Sequence, residues 1–326
     1  MKRGRRTTVL VLIFLIVPSL VYAQAVTTEK ATLVVGHQPF TPTWSSDIVR
    51  LMKFYEKYLP NVQVEWFRAL YGPPLVNNMI ARKIHLSYLG DMPSLVLASK
   101  KSALETRLVG ICQTDDGPSA VIMVPKDSPI KSVKELDGKR VATGFGSYLH
   151  RFAEVVQARE GIRFSLVNQP PEVAFSNLEA RKIDGDARWP PHWGLALHKG
   201  IARILTTGKD YGFGFICDLV VSKEYVDKHP KVIEGWLRAE LDAHEFIRKH
   251  PDKAAQLIYE AWEKKIPLEV IRNDLEYTVY PDHVLPEHIK TLKAGADFLI
   301  QQKLIDMKPD VEAWVDDRYL KAAAAR

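Results

Sequence analysis

Three stretches of the sequence end an apolar segment with small or polar residues and then begin a helical pattern. They are residues 36–45, 89–93 and 144–148. The start of a helix carries unpaired backbone N–H groups and the positive end of the helix dipole, so it can bind an anion without a lysine or arginine. Gly146 and Ser147 fit this chemistry best, because glycine lets a ligand approach the backbone and serine can cap the helix. For each stretch alone, a capped helix with nothing bound is the alternative.

Side chains near the same turns could complete a binding site. Asp91 could bind an amine or only cap its own helix. The histidines His37, His150 and His192 could face a ligand or serve as structural groups. Aromatic rings near these turns could line a site or fill the core, and two of them lie in a proline-stiffened loop that would make a rigid apolar wall. The aromatic residues are Phe40, Trp44, Tyr88, Phe145, Tyr148, Trp189 and Trp193.

The sequence gives little support for catalysis or for a bound metal. His244 and His250 are six residues apart, so one helix face cannot present both to zinc. Residues 115–117 lack the rest of a calcium-binding loop. No G-x-S-x-G elbow, P-loop or complete G-x-G-x-x-G is present. We therefore expect a protein that is not an enzyme and has no cofactor or metal.

A repeated tetrapeptide indicates how the turns are arranged. Ala-Arg-Lys-Ile occurs at 81–84 and again at 180–183. A Pro-Pro pair precedes each copy, and a turn follows ten residues after each alanine, at Asp91 and at Pro190. This repeat predicts two similar lobes whose equivalent turns face each other across a cleft.

The order of the elements predicts an α/β protein. Strand patterns alternate with helix patterns, which indicates a mainly parallel sheet covered on both faces. We expect residues 31–119 to form the first part of lobe 1 and residues 120–216 to form lobe 2. Residues 217–326 would return to lobe 1 and end in helices that pack on it. The chain would cross between the lobes near 119–125 and 212–221.

The first 23 residues read as a signal peptide. Lys2, Arg3, Arg5 and Arg6 precede an apolar run at 9–17 that is too short to span a bilayer, and Ala23 ends a plausible cleavage site. An uncleaved membrane anchor is the alternative. Cleavage would remove these four basic residues and lower the formal net charge from +6 to +2. We therefore expect a periplasmic protein and no nucleic acid partner.

The chain has two cysteines, Cys112 and Cys217. Export would permit a disulfide between them, and two buried thiols is the equal alternative.

Several motifs together resemble one family. They are Val-Gly-His-Gln at 35–38, Gly-Pro-Pro at 72–74, Tyr-Leu-Gly-Asp-Met-Pro at 88–93, the segment 124–142, and Gly146-Ser147 with His150. With these motifs the chain is similar to the periplasmic substrate-binding proteins of ABC importers for aliphatic sulfonates, taurine and nitrate. The likeness covers roughly residues 32–230.

The resemblance implies a two-lobed periplasmic-binding-protein fold of type II with two hinge crossovers. It also implies an exported binding component that captures a small organic anion, most readily an aliphatic sulfonate, and delivers it as a monomer to an ABC permease in the inner membrane. By position, the family's ligand contacts fall on Gln38, Gly90, Asp91, Gly146, Ser147, His150 and residues 189–192.

The chain departs from the family pattern at Pro190, where aspartate is frequent, and at His192, where an aromatic ring is frequent. Losing the carboxylate argues against a ligand amine such as that of taurine. Two alternatives stay open: a thiamine-precursor pyrimidine bound by the same fold, and an exported enzyme on this scaffold.

Overall fold

The computed structural model describes residues 25–325, and the expected signal peptide lies outside them. Two five-stranded sheets organise the chain. The first has the order β2-β1-β3-β10-β4 and is built from β1 (Ala31–His37), β2 (Val62–Arg68), β3 (Leu86–Gly90), β4 (Thr106–Asp115) and β10 (Phe215–Ser222). The second has the order β7-β6-β8-β5-β9 and is built from β5 (Val121–Pro125), β6 (Arg140–Thr143), β7 (Ser165–Asn168), β8 (Gly185–Arg188) and β9 (Ala202–Thr207).

The two sheets share one topology. In each, a βαβαβ unit supplies three parallel strands, and the fourth strand in the order runs antiparallel to both of its neighbours. That fourth strand is β10 in the first sheet and β5 in the second, and each is the first strand after a crossover between the sheets. The carboxyl ends of the parallel strands form the edge of each sheet where α/β proteins collect ligands.

Helices cover both sheets. They are α1 (Trp44–Met52), α2 (Gly72–Ile80), α3 (Asp91–Ser99), α4 (Tyr148–Glu160), α5 (Pro171–Glu179), α6 (His192–His198), α7 (Lys223–Lys228), α8 (Pro230–Lys249), α9 (Pro251–Ala261), α10 (Leu268–Tyr277), α11 (Pro286–Gln301), α12 (Val311–Trp314) and α13 (Arg318–Ala324). The apolar period at 44–58 predicts one helix, but Lys53 takes a left-handed φ of 53° and a 3₁₀ turn, Phe54–Lys57, follows. None of the helices between residues 25 and 325 has both the length and the apolarity that a bilayer crossing requires.

The tetrapeptide repeat is a structural repeat. Ala81 ends α2 and Ala180 ends α5, and the next residue in each copy turns left-handed, with φ of 58° at Arg82 and 57° at Arg181. The isoleucine of each copy is buried. Each copy thus ends a helix and leads into the following strand, β3 or β8, which ends at the turn that the repeat predicts.

Glycines let the two crossovers run side by side. Gly117 has a φ of 123°, and a Cβ there would lie 2.2 Å from the backbone nitrogen of Lys209. A Cβ on Gly214 would lie 2.4 Å from the carbonyl oxygen of Asp115. Such approaches leave no room for a side chain, so the strands at the hinge are held backbone against backbone.

The C-terminal helices reach further than the sequence predicts. Helices α8, α9 and α13 pack on the first lobe, by which we mean the first sheet and its helices. Helix α10, however, packs on α6 of the second lobe, where a Cβ on Gly194 would lie 2.7 Å from Val270. Helix α11 touches α4, with the rings of Phe298 and His150 5.3 Å apart. The C-terminal region therefore also contacts the second lobe.

Both cysteines are buried free thiols. They lie on neighbouring strands, and the Cys112 thiol donates to the carbonyl oxygen of Cys217 at 3.3 Å. Burial raises the pKa of Cys112 well above its usual value. Of the two alternatives that the sequence leaves open, the structure has the buried thiols.

Candidate functional site

The two turns predicted from the repeat both lie against the start of α4. Asp91, directly after β3, accepts a hydrogen bond from Arg151 of α4 at 3.2 Å. Trp189, directly after β8, covers Gly144, where a Cβ would lie 3.4 Å from the indole ring. The structure therefore brings Gly90, Asp91, the 144–148 segment and Trp189 together between the two sheets, at their carboxyl edges.

The start of α4 is preorganised by its own side chains. Ser147 caps the helix, because its Oγ accepts from the His150 N–H at 3.3 Å and donates to the Gly144 carbonyl at 2.6 Å. Gly146 has a left-handed φ of 74°, and its N–H donates to Nδ1 of His150 at 3.2 Å. The first-turn N–H groups beyond reach of any carbonyl of the helix are thus those of Tyr148 and Leu149.

Tyr148 ties α4 to both crossovers. Its hydroxyl donates to the carbonyl oxygen of Ser119 at 3.2 Å, and its ring lies 4.7 Å from that of Phe215. The side chain is buried, and burial raises the pKa of its phenol well above the usual value. Tyr148 therefore positions the helix start relative to the hinge.

The loop after β1 is fixed from within the first lobe. The side-chain Nε2 of Gln38 donates to the Tyr88 carbonyl at 2.9 Å. The backbone carbonyl oxygen of Gln38 accepts from the hydroxyls of Thr41 and Thr43. The N–H of Trp44 donates to Oε1 of Gln113 at 2.8 Å. These bonds hold the loop at the carboxyl edge of the first sheet.

An aromatic cluster forms beside this loop. The ring of Trp262 lies 5.1 Å from that of Phe40 and 5.2 Å from that of Trp44. Sequence reasoning missed Trp262, which follows α9 more than two hundred residues later and carries no local signal. Trp44 and Trp262 are fully buried and Phe40 is half-buried, with the ammonium of Lys265 5.7 Å from its ring.

The two tryptophans of the second-lobe loop separate. Trp189 is half-buried, with the His192 ring 6.0 Å away. Trp193 packs into the apolar core of the second lobe. The sequence predicts that both rings line the ligand site, but only Trp189 is placed to do so. Trp193 lies in α6, which directs its side chain into the core.

Behind Trp189 lies a buried ion pair that sequence reasoning missed. Arg188 donates to the carboxylate of Asp186, with Nε 3.0 Å and 3.1 Å from its two oxygens, and both side chains are fully buried. The guanidinium also donates to the Gln169 carbonyl at 3.2 Å and lies 5.4 Å from the Trp189 ring. The alternation along β8 placed these two charges on one face, but no pattern in the sequence indicated burial.

The histidines of the site are uncharged near neutral pH. Burial, helped by Arg188, lowers the pKa of His192 to about 3. Burial, helped by Arg50 and Arg68, lowers the pKa of His37 to about 3 as well. Burial also lowers the pKa of His150, whose Nδ1 acts as an acceptor. An anion here would be met by N–H dipoles and not by imidazolium.

Buried acids lie behind the cleft. Burial raises the pKa of Asp115 to about 6 and that of Asp274 to about 8. Asp274 accepts from the Tyr277 hydroxyl at 2.8 Å, and Asp115 accepts from the Gly117 N–H at 2.7 Å. Burial also raises the pKa of Asp91, although Arg151 opposes the shift. These buried acids therefore make the folded protein less stable at high pH.

Several buried polar groups at the carboxyl edges have no protein partner within residues 25–325. Among them are the indole nitrogens of Trp44 and Trp189, the hydroxyl of Thr143 and both ring nitrogens of His37. Buried polar groups are normally hydrogen-bonded. They are therefore candidates for contacts to a ligand. In the same range of residues, no group of three acidic, histidine or cysteine side chains is placed to hold a metal ion.

The family model described as NMT1/THI5 like matches residues 88–254, which is just over half of the chain. The chain belongs to the NMT1/THI5 like family. This family member is 28% identical over 270 residues to a relative in Bacillus subtilis (strain 168) named for binding aliphatic sulfonates, a match that covers 80% of this chain and 79% of that protein. It is 27% identical over 195 residues to the taurine-binding periplasmic protein of Escherichia coli (strain K12), covering 58% and 59% of the two chains.

Solved structures support the same architecture. The alkanesulfonate-binding protein SsuA from Xanthomonas axonopodis pv. citri, bound to MOPS, superposes with a TM-score of 0.77 at 22% identity, covering 89% of this chain and 99% of that one. The desulfurization enzyme DSZB superposes with a TM-score of 0.68 at 16% identity, covering 91% and 99%. The predicted two-lobed fold and the family resemblance are confirmed, and this fold occurs in both a binding protein and an enzyme.

Proposed function

We propose that this protein is the exported solute-binding component of an ABC importer and that it captures a small organic anion, most readily an aliphatic sulfonate, between its lobes. The observation that carries the proposal is the match to sulfonate-binding relatives over four fifths of the chain. The lobes, residues 31–119 with 217–326 and residues 120–216, would close on the ligand about the two crossovers. The closed form would dock as a monomer on a permease of the inner membrane.

The proposed pose places the anionic head at the start of α4. The N–H groups of Tyr148 and Leu149 point outward from the first turn, where the helix dipole favours negative charge. The Thr143 hydroxyl and the indole N–H of Trp189 supply further donors. The aliphatic tail lies between Trp189 and the ring cluster of Phe40, Trp44 and Trp262, so apolar burial adds to the affinity.

The same geometry favours a simple alkanesulfonate over taurine. Pro190 offers no carboxylate to an amine. The other candidate, Asp91, already accepts from the Met92 N–H at 2.8 Å and from Arg151. An ammonium group would have to replace these bonds, and the loss of an existing charge-assisted bond offsets much of the gain.

Titration calorimetry tests the ligand class. The mature protein is titrated with methanesulfonate, butanesulfonate, octanesulfonate, taurine, nitrate and a 4-amino-5-hydroxymethylpyrimidine. We expect the alkanesulfonates to bind, with affinity rising with chain length. Binding of the pyrimidine alone, or of none of these anions, contradicts the proposal.

The enzyme alternative needs a separate measurement, because DSZB has the same fold. We expect each bound alkanesulfonate to be recovered unchanged after prolonged incubation with the protein, as judged by mass spectrometry. Release of sulfite or sulfate would establish turnover and contradict a role in binding alone.

A further inference from the structure

An ion pair between Arg151 and Asp91 joins the two lobes directly. Nη2 of Arg151 lies 3.2 Å from Oδ2 of Asp91, and the two side chains are only 9% and 1% exposed. Arg151 lies in α4, which packs on β8 of the second sheet. Asp91 begins α3, which packs on β3, β4 and β10 of the first sheet. The bond can therefore form only when the lobes are together.

Each partner is held in place by its own surroundings. The Arg151 guanidinium lies 4.4 Å from the ring of Phe213, in the second crossover. The other oxygen of Asp91 accepts from the Met92 N–H, so the carboxylate is oriented by the start of α3. These contacts hold both side chains in the conformations in which they pair, and this lowers the entropic cost of the pair.

The charge of Arg151 is unfavourable for its own helix. A cation in the first turn of a helix is disfavoured by the dipole, whereas Asp91 in the first turn of α3 is favoured. The position of Arg151 is therefore explained by its contact across the cleft and not by the stability of α4.

We propose that the Arg151–Asp91 pair is a latch that sets the balance between the open and closed cleft. Opening the cleft would return both charges to water. The cost of desolvating the charges and the attraction between them are therefore both present only in the closed form. A buried pair is worth about as much as an apolar pair of similar size, whereas one unpartnered buried charge is strongly unfavourable. Losing one partner should therefore penalise closure specifically, and replacing both should relieve the penalty.

The first test measures lobe separation without any ligand. Lys83 and Lys182 occupy equivalent exposed positions in the repeat, one on each lobe, and Lys83→Cys with Lys182→Cys accepts a pair of spin labels. Cys112 and Cys217 are buried and should stay unlabelled, which the unmutated protein checks. We expect Asp91→Asn to broaden or shift the distance distribution, and Asp91→Asn with Arg151→Met to return it toward that of the native pair. An unchanged distribution in Asp91→Asn overturns the latch.

The control removes an ion pair that lies within one lobe. Arg238 pairs with Glu234 at 3.1 Å along α8, so Arg238→Met should leave the distance distribution as it is. Thermal melting verifies that each variant is folded, and Arg151→Met, which also leaves one partner of the pair alone, serves if Asp91→Asn does not fold. A shift in Arg238→Met as large as in Asp91→Asn would show that general destabilisation is the cause, and would overturn the latch.

The second test uses butanesulfonate and rests on the proposed function. We expect Asp91→Asn to bind it about tenfold more weakly, and the double variant to recover to within about threefold of the native protein. Equal or tighter binding by Asp91→Asn overturns the latch, since Asp91 would then be neutral or a competitor for Arg151. If the native protein binds no sulfonate, the proposed function fails, and the label distances still decide the latch.

Discussion

At the scale of single residues, two tryptophans four positions apart have different roles. Trp189 covers Gly144 at the mouth of the cleft, where a Cβ would be in ordinary van der Waals contact with the indole ring, 3.4 Å away. Trp193 is one turn further on and lies in the core of the second lobe. Residue type alone therefore does not separate a ligand contact from a core residue, and the backbone direction after β8 does.

This difference predicts opposite outcomes for Trp189→Ala and Trp193→Ala. Trp193→Ala should lower the free energy of unfolding by about 3–5 kcal/mol, the usual cost of truncating a buried aromatic ring. Trp189→Ala should cost less stability but weaken octanesulfonate binding about tenfold, with little effect on methanesulfonate. Urea unfolding and calorimetry measure the two effects. A chain-length effect confined to Trp193→Ala would contradict the assignment.

At the scale of elements, the start of α4 is the part that the site depends on most. One serine caps the helix, one histidine bonds the left-handed glycine before it, and one tyrosine fixes it to the hinge. The first-turn N–H groups are thereby aimed before any ligand arrives, and such preorganisation lowers the cost of binding.

The cap predicts what Ser147→Ala should do. Loss of the bond to the His150 N–H should cost about 1 kcal/mol of stability and should also weaken butanesulfonate binding several-fold, because the helix start frays. Ser222 provides a matched control, since its hydroxyl caps α7 by accepting from the Tyr225 N–H and belongs to neither cleft loop. Ser222→Ala should lose similar stability and keep its affinity. Equal affinity in both variants would remove Ser147 from the site.

At the scale of the whole molecule, the hinge region is built over buried acids. Asp115 ends β4 at the first crossover, and Asp274 lies in α10, which packs on the second lobe. Each has a pKa raised by burial, so each is more easily protonated in the folded protein than in the unfolded chain. Their contribution to stability is complete below the unfolded pKa of about 4 and is lost as the pH rises through about 6 and about 8.

Asp274→Asn isolates one of these contributions. Asparagine can still accept the bond from Tyr277 but cannot ionise. Relative to the native protein, the variant should therefore gain stability steadily as the pH rises from 5 to about 8, and the difference should level off above pH 8. Urea unfolding at several pH values gives the difference. A difference that does not vary with pH would mean that Asp274 titrates normally.

Much of the fold follows from local patterns. Alternating strands and helices, the repeated tetrapeptide, the capping serine and the glycine after α4 all act within a few residues, so the sequence alone determines them. The helical pattern at 148–160, which Gly161 ends, and the one at 268–277 coincide with α4 and α10. The motif positions also place Gly90, Asp91, Gly146, Ser147 and Trp189 at strand ends, and that is where they meet.

Only the tertiary structure decided which distant side chains complete the site. The Arg151–Asp91 bond joins residues 60 positions apart, and Trp262 meets the loop after β1 from the C-terminal helices. The burial of Arg188 with Asp186, and of Trp193 in the core, depends on which helix covers each face of the sheet. Hydrophobic periodicity indicates which face of a helix or strand is buried. The contacts named here depend on which other element covers that face, and no local sequence pattern encodes this.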